Sequence, residues 1–476
     1  MMHVPILRAG RAYRSLDRVM LPDIRSGQPV AEVSQANRGL IAKDLAAAPA
    51  HRQALASLRA ADLVSICAKA GTLFAEAALP VDAGVSQTPD DYLAALSATT
   101  GMPLTLCRAN AAKIRYVLDH MEEVLAGWTR GLPLSVLDDG WGSERDRRVA
   151  YRAQTDALGA ILPNNSPGVH SLWIPAIGLK IPLVLKPGRQ EPWTPLRIAR
   201  ALMAAGAPEE AFSFYPTDHA GAAEILLRCN RSMLFGDAGT LRAWELDTRV
   251  QLHGPGWSKV ILGEDEAPRW RQHLDVMAAS VADNGGRSCL NASAVWTPAH
   301  GRDIAEGLAE RLARIDARAL DDPEARLAAF PDARQARRLS DHIDALLETP
   351  GAVDLTARHR GPDRLVEVGG CTFLRPTVLW CEDADHPLAS SEYLFPFVAV
   401  VEVPRAVMTA RLGSTLVATA LTSDPVFRRE LLDCGAIDRL NFGSVPTSRV
   451  SWDQPHEGNL FEHLYRQRAL QIEGAA

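Results

Sequence analysis

Ala157-Leu158-Gly159-Ala160-Ile161-Leu162-Pro163-Asn164-Asn165 reads as a short buried strand closed by a turn. The apolar run is long enough for a strand and too short for a helix, and the proline ends it. The same texture recurs downstream. Pro182–Leu185 ends in Lys186-Pro187-Gly188, Phe212–Tyr215 follows, Ser232–Phe235 ends in Gly236-Asp237, and Val250–His253 ends in Gly254-Pro255-Gly256. Helical stretches of roughly 10–15 residues separate them. Such alternation predicts right-handed crossovers and a parallel sheet. Ligands of these sheets bind beyond the carboxyl ends of the strands, where Asn165, Lys186, Asp237 and His253 fall.

Upstream, the first 30 residues read as irregular, interrupted by Pro22 and Pro29. Helical patterning runs from Val33 to Gly71 and again from Thr105 to Trp128. Downstream a second α/β pattern begins with a helix over Arg271–Ala282 and a Gly-rich loop to Cys289. A strand near Ala292–Trp296, a charged helical stretch over 302–348 and strands near Thr372–Trp380 and Phe397–Val403 follow. From Asn441 onward helical periodicity is absent, and the segment Trp452-Asp453-Gln454-Pro455-His456-Glu457-Gly458-Asn459 is of the kind that packs on another surface, often a second subunit.

The 476 residues suggest roughly three domain-sized units. With 47% apolar and 23% charged residues the chain has a globular balance, which excludes wholesale disorder and fibrous repeats. Its 51 basic and 57 acidic residues leave a net charge of −6, which argues against nucleic acid as a partner. Seven cysteines without paired spacing predict neither a metal site nor disulfides, and suggest a reducing, cytoplasmic setting. No apolar run reaches the roughly 18 residues of a membrane span, and Met1 to Arg18 lacks the apolar centre of a signal peptide.

Cys289 is the most informative residue. It closes Asp283-Asn284-Gly285-Gly286-Arg287-Ser288-Cys289, directly after a predicted helix. A cysteine on a tight Gly-rich loop presents its sulfur to a pocket and its backbone N–H to a developing oxyanion. The thiolate is the reactive form, and Arg287 or a helix end would lower its pKa. The plainer alternative is an inert buried cysteine. Asn165 has the amide of an oxyanion donor, or simply closes a turn. Lys186 suits the ribose or phosphate of a nucleotide, or is a solvated lysine. Gly254-Pro255-Gly256 is half a dinucleotide fingerprint, or only a turn.

Taken in order, these pieces resemble the aldehyde dehydrogenase superfamily over about residues 150–445. Pro163-Asn164-Asn165-Ser166-Pro167 is similar to that family's Pro-Trp-Asn-x-Pro, and Lys186-Pro187 to its Lys-Pro-Ser-Glu. Phe235-Gly236-Asp237 stands where the family has a Gly-Ser phosphate loop, and Asn284-x-Gly286-x-x-Cys289 matches its Asn-x-Gly-Gln-x-Cys. Pro376-Thr377-Val378-Leu379, Glu392 with Pro396, Thr422-Ser423-Asp424 and Asn441 resemble later landmarks.

The resemblance implies an α/β fold with a Rossmann-like cofactor domain (1–131 and 150–255), a catalytic domain (256–440) and a small oligomerisation element (132–149 and 441–476). A homodimer or homotetramer follows from it. It also implies an oxidoreductase using NAD or NADP, with Cys289 as a nucleophile that forms a thioester. Asn165 and the Cys289 N–H would make the oxyanion hole. Lys186 would hold the adenine ribose, Glu392 the nicotinamide ribose, and Gly236, Asp237 and Gly254 would line the cofactor loops.

Three departures bear on the reaction. The family's Glu-Leu-Gly-Gly-Lys, whose glutamate activates the hydrolytic water, reads here His253-Gly254-Pro255-Gly256-Trp257. Without that carboxylate the thioester would survive for another acceptor, as in the CoA-acylating branch. The main expectation is therefore an acyl-CoA reductase interconverting acyl-CoA and aldehyde, with CoA as co-substrate. One alternative keeps hydrolysis, with His253 as the base of an aldehyde dehydrogenase producing an acid. Another is a non-catalytic nucleotide-binding scaffold of the same fold. Arg189 replaces the family's glutamate after Lys-Pro, which favours the 2′-phosphate of NADP. Leu394 replaces a phenylalanine near the nicotinamide ribose, with Phe395 beside it.

Overall fold

The computed structural model describes residues 1–144 and 147–473. Two seven-stranded sheets organise it. The first contains the parallel strands β1 (Leu158–Ile161), β2 (Leu183–Lys186), β3 (Phe212–Phe214), β4 (Arg231–Phe235) and β5 (Val250–His253). Their spatial order is β5-β4-β1-β2-β3. The chain leaves β1 in one direction to β2 and later returns to its other side with β4. The loops after β1 and β4 therefore diverge, opening a crevice at the carboxyl ends. Every residue of β1 is buried, which is why it reads as an unbroken apolar run rather than an alternating one.

The second sheet contains β6 (Ser258–Leu262), β7 (Ala292–Thr297), β8 (Thr377–Cys381), β9 (Phe397–Glu402), β10 (Thr415–Leu421) and β11 (Ile437–Phe442), all parallel, in the order β8-β9-β7-β6-β10-β11. Ala352–Asp354 adds an antiparallel edge beside β8. Only four residues separate β5 of the first sheet from β6 of the second. That short passage, Gly254 to Trp257, brings both sheets to one place.

The structure corrects several boundaries. The first 30 residues are not irregular. Ile6–Arg8 extends the first sheet antiparallel to β3 and Arg11–Tyr13 pairs antiparallel with it at the edge, while Met2–Val4, Arg18–Pro22 and Pro29–Ser34 form a small sheet of their own. These strands are held by distant partners, and both prolines sit at strand ends where a missing N–H costs little. The stretch 302–348 is two helices, Gly301–Leu312 and Ala333–Leu347, with non-helical chain between them. β6 and β10, central to the second sheet, carry no expectation from sequence.

After β11 the chain turns back over the first sheet. The short helix Leu460–Leu464 is capped by Asn459, whose side chain accepts from the Phe461 and Glu462 N–H groups. Tyr465–Arg468 then pairs with Arg147–Ala153, which pairs in turn with Trp141–Glu144. Of the segments expected to join subunits, residues 145–146 and 474–476 lie outside the described residues. No described helix is long and apolar enough to cross a membrane, and no described group of three His, Cys, Asp or Glu residues is arranged to hold a metal.

Candidate active site

The Cys289 loop is shaped by left-handed backbone. Asn284, Gly285 and Gly286 take φ values of 55°, 67° and 68°, which turn the chain sharply out of helix Leu274–Ala282. Such angles favour glycine and tolerate asparagine. A side chain at 286 would also lie 2.4 Å from the Phe395–Pro396 peptide, so only glycine fits. The other wall is the turn after β5. A Cβ on Gly256 would sit 2.0 Å from the Cys289 carbonyl oxygen, and Ser258 Oγ donates to that oxygen over 2.9 Å. The passage between the sheets thus cradles the Cys289 backbone.

Asn165 joins the loop from the end of β1. Its Nδ2 donates to the Arg287 carbonyl over 2.8 Å. Asn110, on helix Leu104–Asp119, ties the two loops together and was not expected from sequence. Its Oδ1 accepts from Ser166 Oγ and the Gly168 N–H, while its Nδ2 donates to Asn284 Oδ1 over 2.6 Å. Its signal is a polar residue on a buried helix face shared with Cys107, Ile114 and Val117.

His253 ends β5 and is buried, with its ring stacked on Phe235 at 4.3 Å. His456 lies parallel to it at 6.4 Å. His253 Nδ1 hydrogen-bonds Glu457, while its Nε2 is buried without a partner among the described residues. Glu457 arrives from the C-terminal segment, 204 residues away in sequence. Gln251 Nε2 donates to the Glu457 carbonyl, and Arg439 to the Pro455 carbonyl over 2.6 Å, fastening that segment here.

The electrostatics correct one expectation. Arg287 does not face the thiol. Its guanidinium donates to the Thr100 and Ala329 carbonyls and lies over the Phe330 ring, spent on holding neighbouring loops. Nor does any helix begin at Cys289. Burial pushes the Cys289 thiol well above its usual range, and the charges of Glu457 and Glu392 push it further. The resting sulfur is a thiol. Glu392 itself accepts from the Gly256 N–H over 3.1 Å and from the Trp257 N–H, so it braces the turn beneath Cys289. Burial raises it to about 7 against those hydrogen bonds.

The remaining expected positions fall at the carboxyl ends of β2, β4 and β5 and in the loop before β9. Lys186 ends β2, and burial lowers its pKa. Arg189 is exposed on the loop that follows. Gly188 packs against Asn164, whose Oδ1 accepts from the Gln190 N–H, so the loops after β1 and β2 lie side by side. Asp237 caps the short helix Ala238–Leu241 by accepting from the Thr240 N–H, which holds its carboxyl below the usual range. Gly236 sits against Thr240, and Gly254 against Leu241. Phe395 is buried among Tyr393 and Phe397, while Leu394 is exposed.

One consequence is measurable by unfolding. Burial drives His456 and His463 down to about 4, so the folded chain keeps them neutral. Unfolded, they protonate below about pH 6.5, and each costs about 1.4 kcal/mol of stability per pH unit as pH falls toward 4. Glu392, raised to about 7, works oppositely, because the folded chain holds its proton. The net expectation is a loss of about 1.4 kcal/mol per unit between pH 6.5 and 4.5. Thermal melts across that range should show a falling midpoint. A flat one would contradict the buried neutral pair.

Comparison with known proteins bears on the family and the fold. The sequence model of the aldehyde dehydrogenase family matches residues 17–407. Phenylacetaldehyde dehydrogenase of Pseudomonas fluorescens is 28% identical over 204 residues, which are 40% of this chain and only 40% of that relative's length. Among solved structures, the aldehyde dehydrogenase KauB from Pseudomonas aeruginosa superposes with a TM-score of 0.81 at 16% identity, covering 99% of this chain and 97% of that one. The indole-3-acetaldehyde dehydrogenase AldA of P. syringae, in complex with NAD+ and IAA, gives 0.80 at 14% identity, with 98% and 96% covered. The structure of 3,6-anhydro-L-galactose dehydrogenase in complex with NAP gives 0.78 at 14%, with 98% and 99% covered. At these identities the structural likeness speaks for the fold.

Proposed function

From the premise that the chain belongs to the aldehyde dehydrogenase family, we propose that it oxidises an aldehyde to a carboxylic acid with NAD or NADP. The observation that carries this reading is the convergence of Cys289, Asn165 and the His253 end of β5 at one crevice. Cys289 Sγ adds to the aldehyde carbon while its proton passes to solvent water. Asn165 Nδ2 and the Cys289 N–H steady the oxygen. When bound, the nicotinamide supplies the acceptor for the hydride that leaves that carbon. The thioester is then cleaved by water. His253 Nε2 takes a proton as the water oxygen bonds to carbon. The carbon–sulfur bond breaks, and the sulfur recovers the proton.

Water is the proposed acceptor, which revises the sequence expectation of CoA. That expectation rested on the loss of a carboxylate at position 253. A buried histidine whose Nε2 has no partner among the described residues stands there, and the relatives are named as aldehyde dehydrogenases. Product analysis tests this. Purified protein, an arylacetaldehyde or aliphatic aldehyde and NAD(P)+ should yield one acid per NAD(P)H, unchanged by added CoA. Dependence on CoA, with an acyl-CoA product, would restore the acyl-transfer reading.

The cofactor crevice suits a nucleotide. Lys186 stands at the strand end with its side chain unbonded among the described residues and would hold a ribose, and exposed Arg189 suits a 2′-phosphate. Arg189→Ala should raise KM for NADP about tenfold, the loss of one charged hydrogen bond, and leave NAD unaffected. Equal effects on both would remove Arg189 from cofactor choice. The sheet of Trp141–Glu144, Arg147–Ala153 and Tyr465–Arg468 is our candidate for joining subunits, as a homodimer or homotetramer.

A further inference from the structure

We infer that Glu457 of the C-terminal segment is a positioning residue that makes His253 the base of this site. The inference rests on the proposed aldehyde oxidation. An imidazole serves as a base only through a nitrogen that lacks a hydrogen, and its partner decides which nitrogen that is. Burial pushes the Glu457 carboxyl up, but His253 and its hydrogen bond bring it below the usual range, so the carboxyl is the acceptor of the pair. A carboxylate only accepts. His253 Nδ1 therefore carries the hydrogen and donates to Glu457, and Nε2 keeps its lone pair. That nitrogen is buried and makes no other hydrogen bond among the described residues. Phe235 stacks on the ring at 4.3 Å and His456 lies nearly parallel to it at 6.4 Å, packing that favours the observed orientation.

The carboxylate missing from the end of β5 is thus supplied from the far end of the chain, one atom layer behind the base. Glu457 also lies near enough to Cys289 for its charge to raise the thiol's pKa further, beyond the larger effect of burial. The segment is anchored for the task on both sides. Asn459 Nδ2 donates to the Trp128 carbonyl over 2.8 Å, and a Cβ on Gly127 would meet the Asp453 carbonyl at 2.0 Å. The charged and titratable groups around the pair are His456 and His463 from the same segment, Glu392 beneath the Cys289 turn, Asp438 and Arg439 from β11 and Cys289 itself.

Two variants and two readouts test the inference. Glu457→Leu removes the acceptor, whereas Glu457→Gln keeps an acceptor oxygen and loses the charge. In rapid mixing of aldehyde and NAD(P)+, Glu457→Leu should retain a burst near one NAD(P)H per site and then turn over on the order of 10²–10³-fold more slowly. Glu457→Gln should recover most of that rate, with a shifted pH profile. Nitrogen-15 NMR of histidine-labelled protein reads the tautomer without turnover, the His253 signals being assigned by their absence in His253→Asn. Wild type should carry its hydrogen on Nδ1, and Glu457→Leu should not. An unchanged turnover rate in Glu457→Leu, or an Nε2-protonated His253 in wild type, would overturn the role. So would burst and turnover falling together in both variants, which marks mere folding support. If wild type reduces no NAD(P)+ with any aldehyde, the oxidation reading fails, and the NMR result still decides the role of Glu457.

Discussion

Cys289→Ser should abolish aldehyde-dependent NAD(P)+ reduction, with a rate loss on the order of 10⁴-fold or more. The variant changes one atom in a loop held by other contacts. The left-handed run Asn284 to Gly286, the Gly256 cradle and the Asn165 bond to the Arg287 carbonyl use no sulfur. Folding and nucleotide binding should persist, so a melting midpoint and a nucleotide titration serve as controls. The loss is large because a serine hydroxyl is a far weaker acid than a thiol, and this site already disfavours the anion through burial and two carboxylates. Nothing here compensates, since Arg287 faces away. Steady-state NAD(P)H formation measured from pH 6 to 10 checks the result, and substantial activity would remove Cys289 from the chemistry.

The second large effect is expected at His253. His253→Ala should slow steady-state turnover on the order of 10²–10⁴-fold, the usual worth of a positioned base, and should expose a burst of NAD(P)H. Hydride leaves before the thioester is cleaved, so a variant deficient only in cleavage completes the first half-reaction once per site. Exogenous hydroxylamine, which needs no base to attack a thioester, should restore turnover. A proportional loss of burst and steady state would place His253 in the first half-reaction instead.

The fold was legible where strands are buried on both faces. β1 is an unbroken buried run and β2 is one up to Lys186, while β4 and β5 include Ser232 and Gln251 but end at Gly236 and Gly254, and their order alone implies a crevice. β6 escaped notice because it opens with Ser258 and Lys259, both buried, and leaves only three apolar residues. Lys259 tolerates burial by donating to the Trp257 carbonyl and Thr415 Oγ1, with a pKa lowered to about 8. β11 alternates polar residues as an edge strand does and resembles a loop. Met2–Val4, Ile6–Arg8 and Arg11–Tyr13 have three residues each, too short to carry a period.

Within the site, the nucleophile and Asn165 were legible because backbone geometry demands glycine and turn residues around them. Glu457 and Asn110 were not. Each acts through a contact with a residue 204 or 174 positions away, and no local pattern announces such a partner. Arg287 illustrates the reverse error. A charge next to a cysteine in sequence does not say where the guanidinium points, and here backbone carbonyls claim it.

The central claim, that aldehyde oxidation passes through a covalent bond to Cys289 and ends with water, is tested most directly by intact-protein and peptide mass spectrometry. His253→Ala, mixed with aldehyde and NAD(P)+ and quenched in acid during the slow phase, should carry one acyl group. That group should lie on the peptide containing Cys289 and should be lost on treatment with hydroxylamine. NAD(P)H formation with no adduct on Cys289, or an adduct released only by CoA, would contradict it.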